Sequence, residues 1–181
     1  MIHEKEIVGK FVTLRAVKES DAKFIIALRN EPQNNKFIHQ TSTDIDNQIK
    51  WISNQNIKPG DYYFLVSNSK GPVGCISLYN INTEEKTAEL GRWVSDGNAF
   101  ENLESAIILH DFGFDLLKLK TIYTCTVKEN IKVVNFWKRF GGRFDGYIED
   151  DSFTMHKNVV EVQEFKNSIK PKLLKLLGNE R

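Results

Sequence analysis

The chain has 181 residues, 40% of them hydrophobic and 27% charged, with a formal net charge of +1. That length suits one medium domain that buries a full core without disulfide or metal staples. The near-neutral charge removes the electrostatic case for a nucleic-acid partner, no apolar run approaches the ~20 residues of a membrane helix, and the polar start Met1-Ile-His-Glu-Lys-Glu6 is no secretory signal.

Residues 10–15 alternate and are β-rich, which predicts a first strand. Asp21 caps a helix running to about Asn30, with Phe24, Ile25, Ala27 and Leu28 on its apolar stripe. Glu31-Pro32 ends it, because the residue before proline is steered out of the helical region. Thr43 or Asp44 caps a second helix carrying Ile45, Ile49, Trp51 and Ile52. Pro59-Gly-Asp61 is a turn, residues 62–66 a strand, Asn68-Ser-Lys-Gly71 a second turn, and residues 72–79 the returning strand of a hairpin. Asn82-Thr-Glu-Glu85 turns into a strand over 87–94. A helix from about Asn102 to Lys118, a strand over 121–127 and a short helix opened by Asn130 follow, the last stopped by Gly141-Gly142. Residues 143–148 and 152–159 form a hairpin around Glu149-Asp-Asp151, and the tail over 161–177 is helical, kinked or restarted at Pro171. There is no internal repeat, low-complexity tract or linker. The pattern predicts one α/β (α+β) domain over 1–181, a central mixed, mostly antiparallel sheet flanked by helices.

Cys75 and Cys125 lie in apolar strand-like runs, outside any Cys-x-x-Cys pattern, and read as reduced buried thiols. Histidines 3, 39, 110 and 156 show no ligand spacing, so no metal is expected and a reducing cytoplasm is the simplest location. His110, at helical spacing among Leu103, Ile107, Phe114 and Leu117, reads as a core histidine.

The order strand, loop, helix, strand, helix and glycine turn over 87–144 resembles the cofactor-binding half of the GNAT superfamily of N-acetyltransferases. The segment Lys128-Glu-Asn-Ile-Lys-Val-Val-Asn-Phe-Trp-Lys-Arg-Phe-Gly141 is similar to the family's Asn-x-x-Ala-x-x-x-Tyr-x-x-x-Gly-Phe run. Asn130 falls on the family asparagine, Gly141 on the helix-ending glycine, and Trp137 on the tyrosine that can protonate the departing thiolate. An indole N–H cannot supply that proton near neutral pH. The loop Ser95-Asp-Gly-Asn-Ala-Phe-Glu-Asn102 keeps only Gly97 of the family glycines, and its acids either bring negative charge to the phosphate site, at Asp96 and Glu101, or serve locally, Asp96 capping a turn and Glu101 or Glu104 suiting the first helical turn. The resemblance implies acetyl-coenzyme A as co-substrate. Backbone at Trp93 and Val94 would hold the pantetheine arm, Gly97, Asn98, Ala99 and Asn102 the pyrophosphate, and Asn130 and Trp137 would line the cofactor.

Glu89 lies mid-strand on the face of Thr87, Gly91 and Trp93, and an acid inside an apolar strand needs a partner or a task. It is either the base that takes the proton of an amine nucleophile or a salt-bridge partner of Arg92 or Arg15. Leu28-Arg-Asn-Glu-Pro32, Phe37, the helix over 43–51 and the strand over 62–66 resemble a GNAT branch that N-acetylates nucleotide-linked amino sugars. The ribosomal-protein and small-amine branches share most of these motifs. The resemblance implies substrate contacts at Arg29, Asn30, His39 and Tyr79, with Arg29 and Asn30 facing a nucleotide phosphate or base. Arg29 also suits a helix terminus, where its charge complements the dipole. Tyr79 and Tyr123 sit in strands as substitutes for the missing acid or as core. The expected function is acetyl transfer to a primary amine of a small molecule, with the amino group of a nucleotide-linked deoxysugar as the favoured acceptor and no nucleic-acid or membrane partner. The basic tail, with lysines 166, 170, 172 and 175, is an amphipathic helix that can rest on the domain or dock a twofold mate in a homodimer. The rival readings are a GNAT-fold binding protein without turnover and an acetyltransferase of protein N-termini.

Overall fold

A computed structural model describes residues 1–150 and 152–178, so Asp151 of the expected hairpin turn and the last three residues lie outside the description. The strands are β1 (Ile7–Val8), β2 (Thr13–Ala16), β3 (Tyr62–Asn68), β4 (Gly71–Asn82), β5 (Thr87–Ser95), β6 (Thr121–Val127), β7 (Arg143–Glu149) and β8 (Thr154–Glu161). Their order is β1-β2-β3-β4-β5-β6-β8-β7. β5 and β6 run parallel through Thr87↔Thr121, Ala88↔Ile122 and Glu89↔Tyr123, whereas β1 to β3 pair antiparallel in turn, as do β3 with β4, β6 with β8 and β7 with β8. The expected mixed, mostly antiparallel sheet flanked by helices is what forms. The chain folds as two compact units, Met1–Tyr79 with Gly91–Ser105, and Asn80–Leu90 with the chain from Ala106 onward.

In the first unit α1 (Ala22–Asn30), α2 (Pro32–Asn35) and α3 (Ile45–Ile57) supply the helices. α1 stops where expected, with Glu31 extended ahead of Pro32. Asp44 caps α3 by accepting the N–H groups of Asp46 and Asn47. The core joins Ile25 and Leu28 of α1, Ile52 of α3, Tyr63 and Leu65 of β3, Cys75 of β4 and Val94 of β5. The inward side of α3 differs from its apolar pattern: Gln48 and Gln55 are buried, while Ile45 is 45% and Trp51 40% exposed. Gln55 is tolerated because its Nε2 donates to both the carbonyl and the carboxylate of Asp61. Glu104 of α4 (Ala99–Asp111) is buried, and its carboxylate accepts the backbone N–H groups of Lys10, Phe11 and Val12 at 2.8, 2.6 and 2.9 Å. It thereby satisfies a loop that no strand partner pairs.

In the second unit α4 passes into a π-helical turn, Phe112–Leu116, and α5 (Ile131–Phe140) ends on Gly141, whose φ of +119° is open to glycine alone. A Cβ at Gly141 would also sit 2.7 Å from Ile169 Cγ1. The tail is α6 (Val162–Glu164), a π-helical turn over Phe165–Ile169, and α7 (Lys170–Leu176). The restart falls at Pro171, which has no N–H to continue the ladder.

His110 is fully buried, tilted against Phe140 at a ring separation of 4.8 Å and stacked on Phe165 at 5.2 Å. Its Nδ1–H donates to the Ala106 carbonyl at 2.7 Å, and Nε2 meets no hydrogen-bond partner among the described residues. Burial lowers its pKa to about 4, against 6.5 in an open chain, so the folded protein holds it neutral. The unfolded chain therefore binds the extra proton between those two values. Stability should fall as pH drops through that window, by about 3 kcal/mol in all at ~1.4 kcal/mol per unit. Urea unfolding from pH 7 to pH 4 should show this slope, flattened in His110→Phe. An unchanged slope in the variant would assign the acid limb to other groups.

Candidate active site

In the first unit the second half of β5 carries an irregularity at Arg92, which sits at φ +47° although it is not glycine. Asp61, whose side chain is 2% exposed, receives Arg92 Nη1 at 2.7 Å and Nη2 at 3.0 Å. The guanidinium carbon lies 4.0 Å from the ring centre of Tyr79 and 5.4 Å from that of Trp51. A bidentate ion pair and two aromatic faces thus hold a left-handed residue that costs roughly 1–3 kcal/mol by itself. Gly91 beside it has a spatial reason: a Cβ there would lie 2.8 Å from the Tyr79 hydroxyl.

β5 then leads through Trp93 and the buried Val94 into the loop ahead of α4. Gly97 N–H donates to Ser95 Oγ, and Asn98 N–H donates to the Glu101 carboxylate at 2.8 Å. Asn98 Oδ1 accepts the N–H groups of Phe100 and Glu101 in return, and Asn102 Nδ2 ties to the Gly97 carbonyl. Asn98 and Glu101 therefore form a reciprocal capping box. It starts α4 at Ala99, three residues before the expected Asn102. Glu101 also accepts Asn68 Nδ2, and Asp96 accepts Asn34 Nδ2. Backbone donors at a helix N-terminus make an anion site, and here a carboxylate of the chain itself occupies one of them. The fit to a pyrophosphate is therefore conditional on Glu101 turning out.

The other predicted residues of this unit lie on α1 and after α2. Arg29 Nε donates to Thr41 Oγ1 at 2.7 Å, Asn30 Nδ2 donates to the Ile26 carbonyl, and His39 is exposed. Arg15, the other partner considered for Glu89, makes a bidentate pair with Asp21 at 2.8 Å.

In the second unit Glu89 is half-buried on β5 and accepts Asn80 Nδ2 at 3.0 Å. Tyr123, opposite it on β6, is pushed up to about 12 by burial, with the Glu89 carboxylate adding to the effect. Cys125 is pushed up to about 12 by the same two causes, so it stays a thiol and is no nucleophile near neutral pH. Asn80 and Tyr123 also line an open groove of about 550 Å³, together with Thr87, Arg143, Asp145 and Lys157. Asn130 caps α5 by accepting Val133 N–H at 3.4 Å, and Trp137 is 2% exposed, packed against Phe136, Phe140 and His110.

An acetyltransferase (GNAT) domain model matches residues 14–170. The chain belongs to the GNAT family. Comparison with curated protein sequences gives no match. Among solved structures, apo FdhC, described as a nucleotide-linked sugar GNAT, is 27% identical, with a TM-score of 0.78 over 93% of this chain and 97% of its own. A GCN5-related N-acetyltransferase from Brucella melitensis is 16% identical, with a TM-score of 0.84 over 97% of this chain and 86% of its own. A variant of SpeG, the spermidine N-acetyltransferase of Vibrio cholerae, is 20% identical, with a TM-score of 0.74 over 88% of this chain and 98% of its own. The last two likenesses speak for the fold alone.

In this GNAT chain Trp93, Val94, Gly97, Asn98, Ala99 and Asn102 fall together on one strand, loop and helix start. Glu89 falls with Asn80 and Tyr123. The Arg92–Asp61 pair was missed, because its two halves are 31 residues apart and nothing local links them. The capping box had a signal, Asn-x-x-Glu ahead of an apolar helix, and of the two places open to Glu101, against a phosphate or in the first helical turn, the structure shows the second.

Proposed function

We propose that the protein transfers the acetyl group of acetyl-CoA to a primary amine carried on a nucleotide-linked deoxysugar. The observation that carries the reading is the Asn98 N–H received by a carboxylate at the start of α4. The backbone there already takes an anion, on the strand–loop–helix segment that GNAT enzymes use for the pyrophosphate. The likeness to FdhC supports the acceptor class. Free thiols at Cys75 and Cys125 fit a reducing cytoplasm.

The chemistry balances with few groups. Backbone N–H groups at Trp93 and Val94 polarise the thioester carbonyl, and the amine attacks its carbon in a ternary complex. The C–N bond forms, the C–S bond breaks, and the amine proton passes to Glu89, directly or through water. The thiolate takes its proton from water. Trp137 has no acidic proton, and Tyr123 at about 12 is too weak an acid to protonate a thiolate whose thiol titrates near ~8.5.

Calorimetric titration with acetyl-CoA tests the cofactor half. The expected result is micromolar binding, tightened in Glu101→Gln because the phosphate no longer displaces a charge. Silence up to millimolar cofactor in both proteins would favour the rival, a GNAT-fold binding protein without turnover, which the self-occupied loop and the buried Trp137 already suit.

A further inference from the structure

Trp51 stands 40% exposed on α3 although its indole is among the largest apolar groups of the chain. It is not loose: Tyr63 meets it edge-on at 5.5 Å and 87°, and the Arg92 guanidinium, pinned by Asp61, lies 5.4 Å from its ring centre. An exposed ring held from behind is a low-entropy surface for stacking a planar base. Arg29 differs from Arg15 and Arg92 in having no carboxylate partner among the described residues. Its Nε–H is spent on the neutral Thr41 hydroxyl, which fixes the plane of the guanidinium and leaves the two Nη groups available. Leu28, next to Arg29 on α1, shares a core cluster with Tyr63, and the Arg29 and Arg92 charges both oppose the rise that burial imposes on the Tyr63 phenol. The Trp51 ring meets that same tyrosine. A charge at the end of α1 that served only the helix dipole would need no such orientation.

We propose that Trp51 and Arg29 recognise the nucleoside diphosphate part of the acceptor, the indole stacking on the base and the Arg29 fork binding a phosphate. The inference rests on the acetyl-transfer reading above and names the recognition residues of its acceptor. Neither residue touches the reacting atoms, so both act on acceptor affinity and not on the chemical step.

The test is calorimetric titration of the full chain with thymidine diphosphate, uridine diphosphate, thymidine and inorganic pyrophosphate, with coenzyme A saturating so that its own site is blocked. Coenzyme A binding is measured separately. At least one diphosphate should bind, with Trp51→Leu and Arg29→Gln each weakening it about tenfold. Trp51→Leu should also weaken thymidine, and Arg29→Gln should not. Arg29→Lys should recover only part of the loss, since a point charge lacks the fork. Thermal unfolding of each variant checks that the fold is kept. Diphosphate binding that both folded variants leave unchanged would overturn the assignment and leave the acceptor reading standing. Coenzyme A binding with no response to either diphosphate would overturn both the assignment and the nucleotide-linked acceptor, leaving acetyl transfer to some other amine.

Discussion

Glu89→Gln should lower kcat by roughly 10²–10⁴-fold, the range for loss of a positioned general base, while acetyl-CoA affinity stays unchanged. The substitution keeps the shape of the side chain and an oxygen able to accept the Asn80 amide now bonded at 3.0 Å. What it removes is the capacity to take a proton from the attacking amine. With Glu89 as the proposed base and no part of the cofactor site, KM for acetyl-CoA should hold while turnover collapses. Raising the pH should recover part of the rate, since a free amine no longer needs the base. The assay follows thiol release with a primary-amine acceptor. A variant with full activity would reduce Glu89 to a structural partner of Asn80 and leave the proton to solvent.

Arg92→Ala should destabilise the protein by about 3–5 kcal/mol, the cost of leaving one member of a buried ion pair alone. Asp61 is 1% exposed, and without the guanidinium it retains the Gln55 amide and a distant Lys58 ammonium at 3.8 Å. The alanine would also keep the left-handed conformation at φ +47° without the contacts that hold it. Arg92→Gly separates these effects, because glycine tolerates the conformation but loses the ion pair. It should recover about 1 kcal/mol relative to alanine. Urea unfolding at neutral pH measures both variants. A loss below about 1 kcal/mol in Arg92→Ala would mean that water screens the pair as it does at a surface. If the pair also sets the backbone of Trp93 and Val94, Arg92→Ala at a temperature where it remains folded should lose turnover as well.

Much of the molecule is legible in the sequence. The strand at Thr121–Val127, the Asp44 cap, the Asn130 cap and the stop at Gly141 follow from rules that act over a few residues. The family itself shows in the order of elements and in one helix motif. The candidate base Glu89 stood out because an acid inside an apolar strand is costly unless employed. α3 is less legible: of the apolar residues the sequence places on it, Trp51 and Ile45 face out, while two glutamines face in. Periodicity reports which residues can be buried, not which surface the rest of the chain will cover.

By itself, then, the sequence determined the local structure, the GNAT family and the short list of polar residues from which a site can be built. The tertiary structure alone decided how those residues are spent. It set Arg92 against Asp61, Arg15 against Asp21, the Glu104 carboxylate on the N–H groups of residues 10–12, and left Arg29 with a neutral hydroxyl. Such pairings join positions from 6 to 94 residues apart. Charge attracts by distance in space, which strand register and helix packing create and which spacing along the chain does not encode.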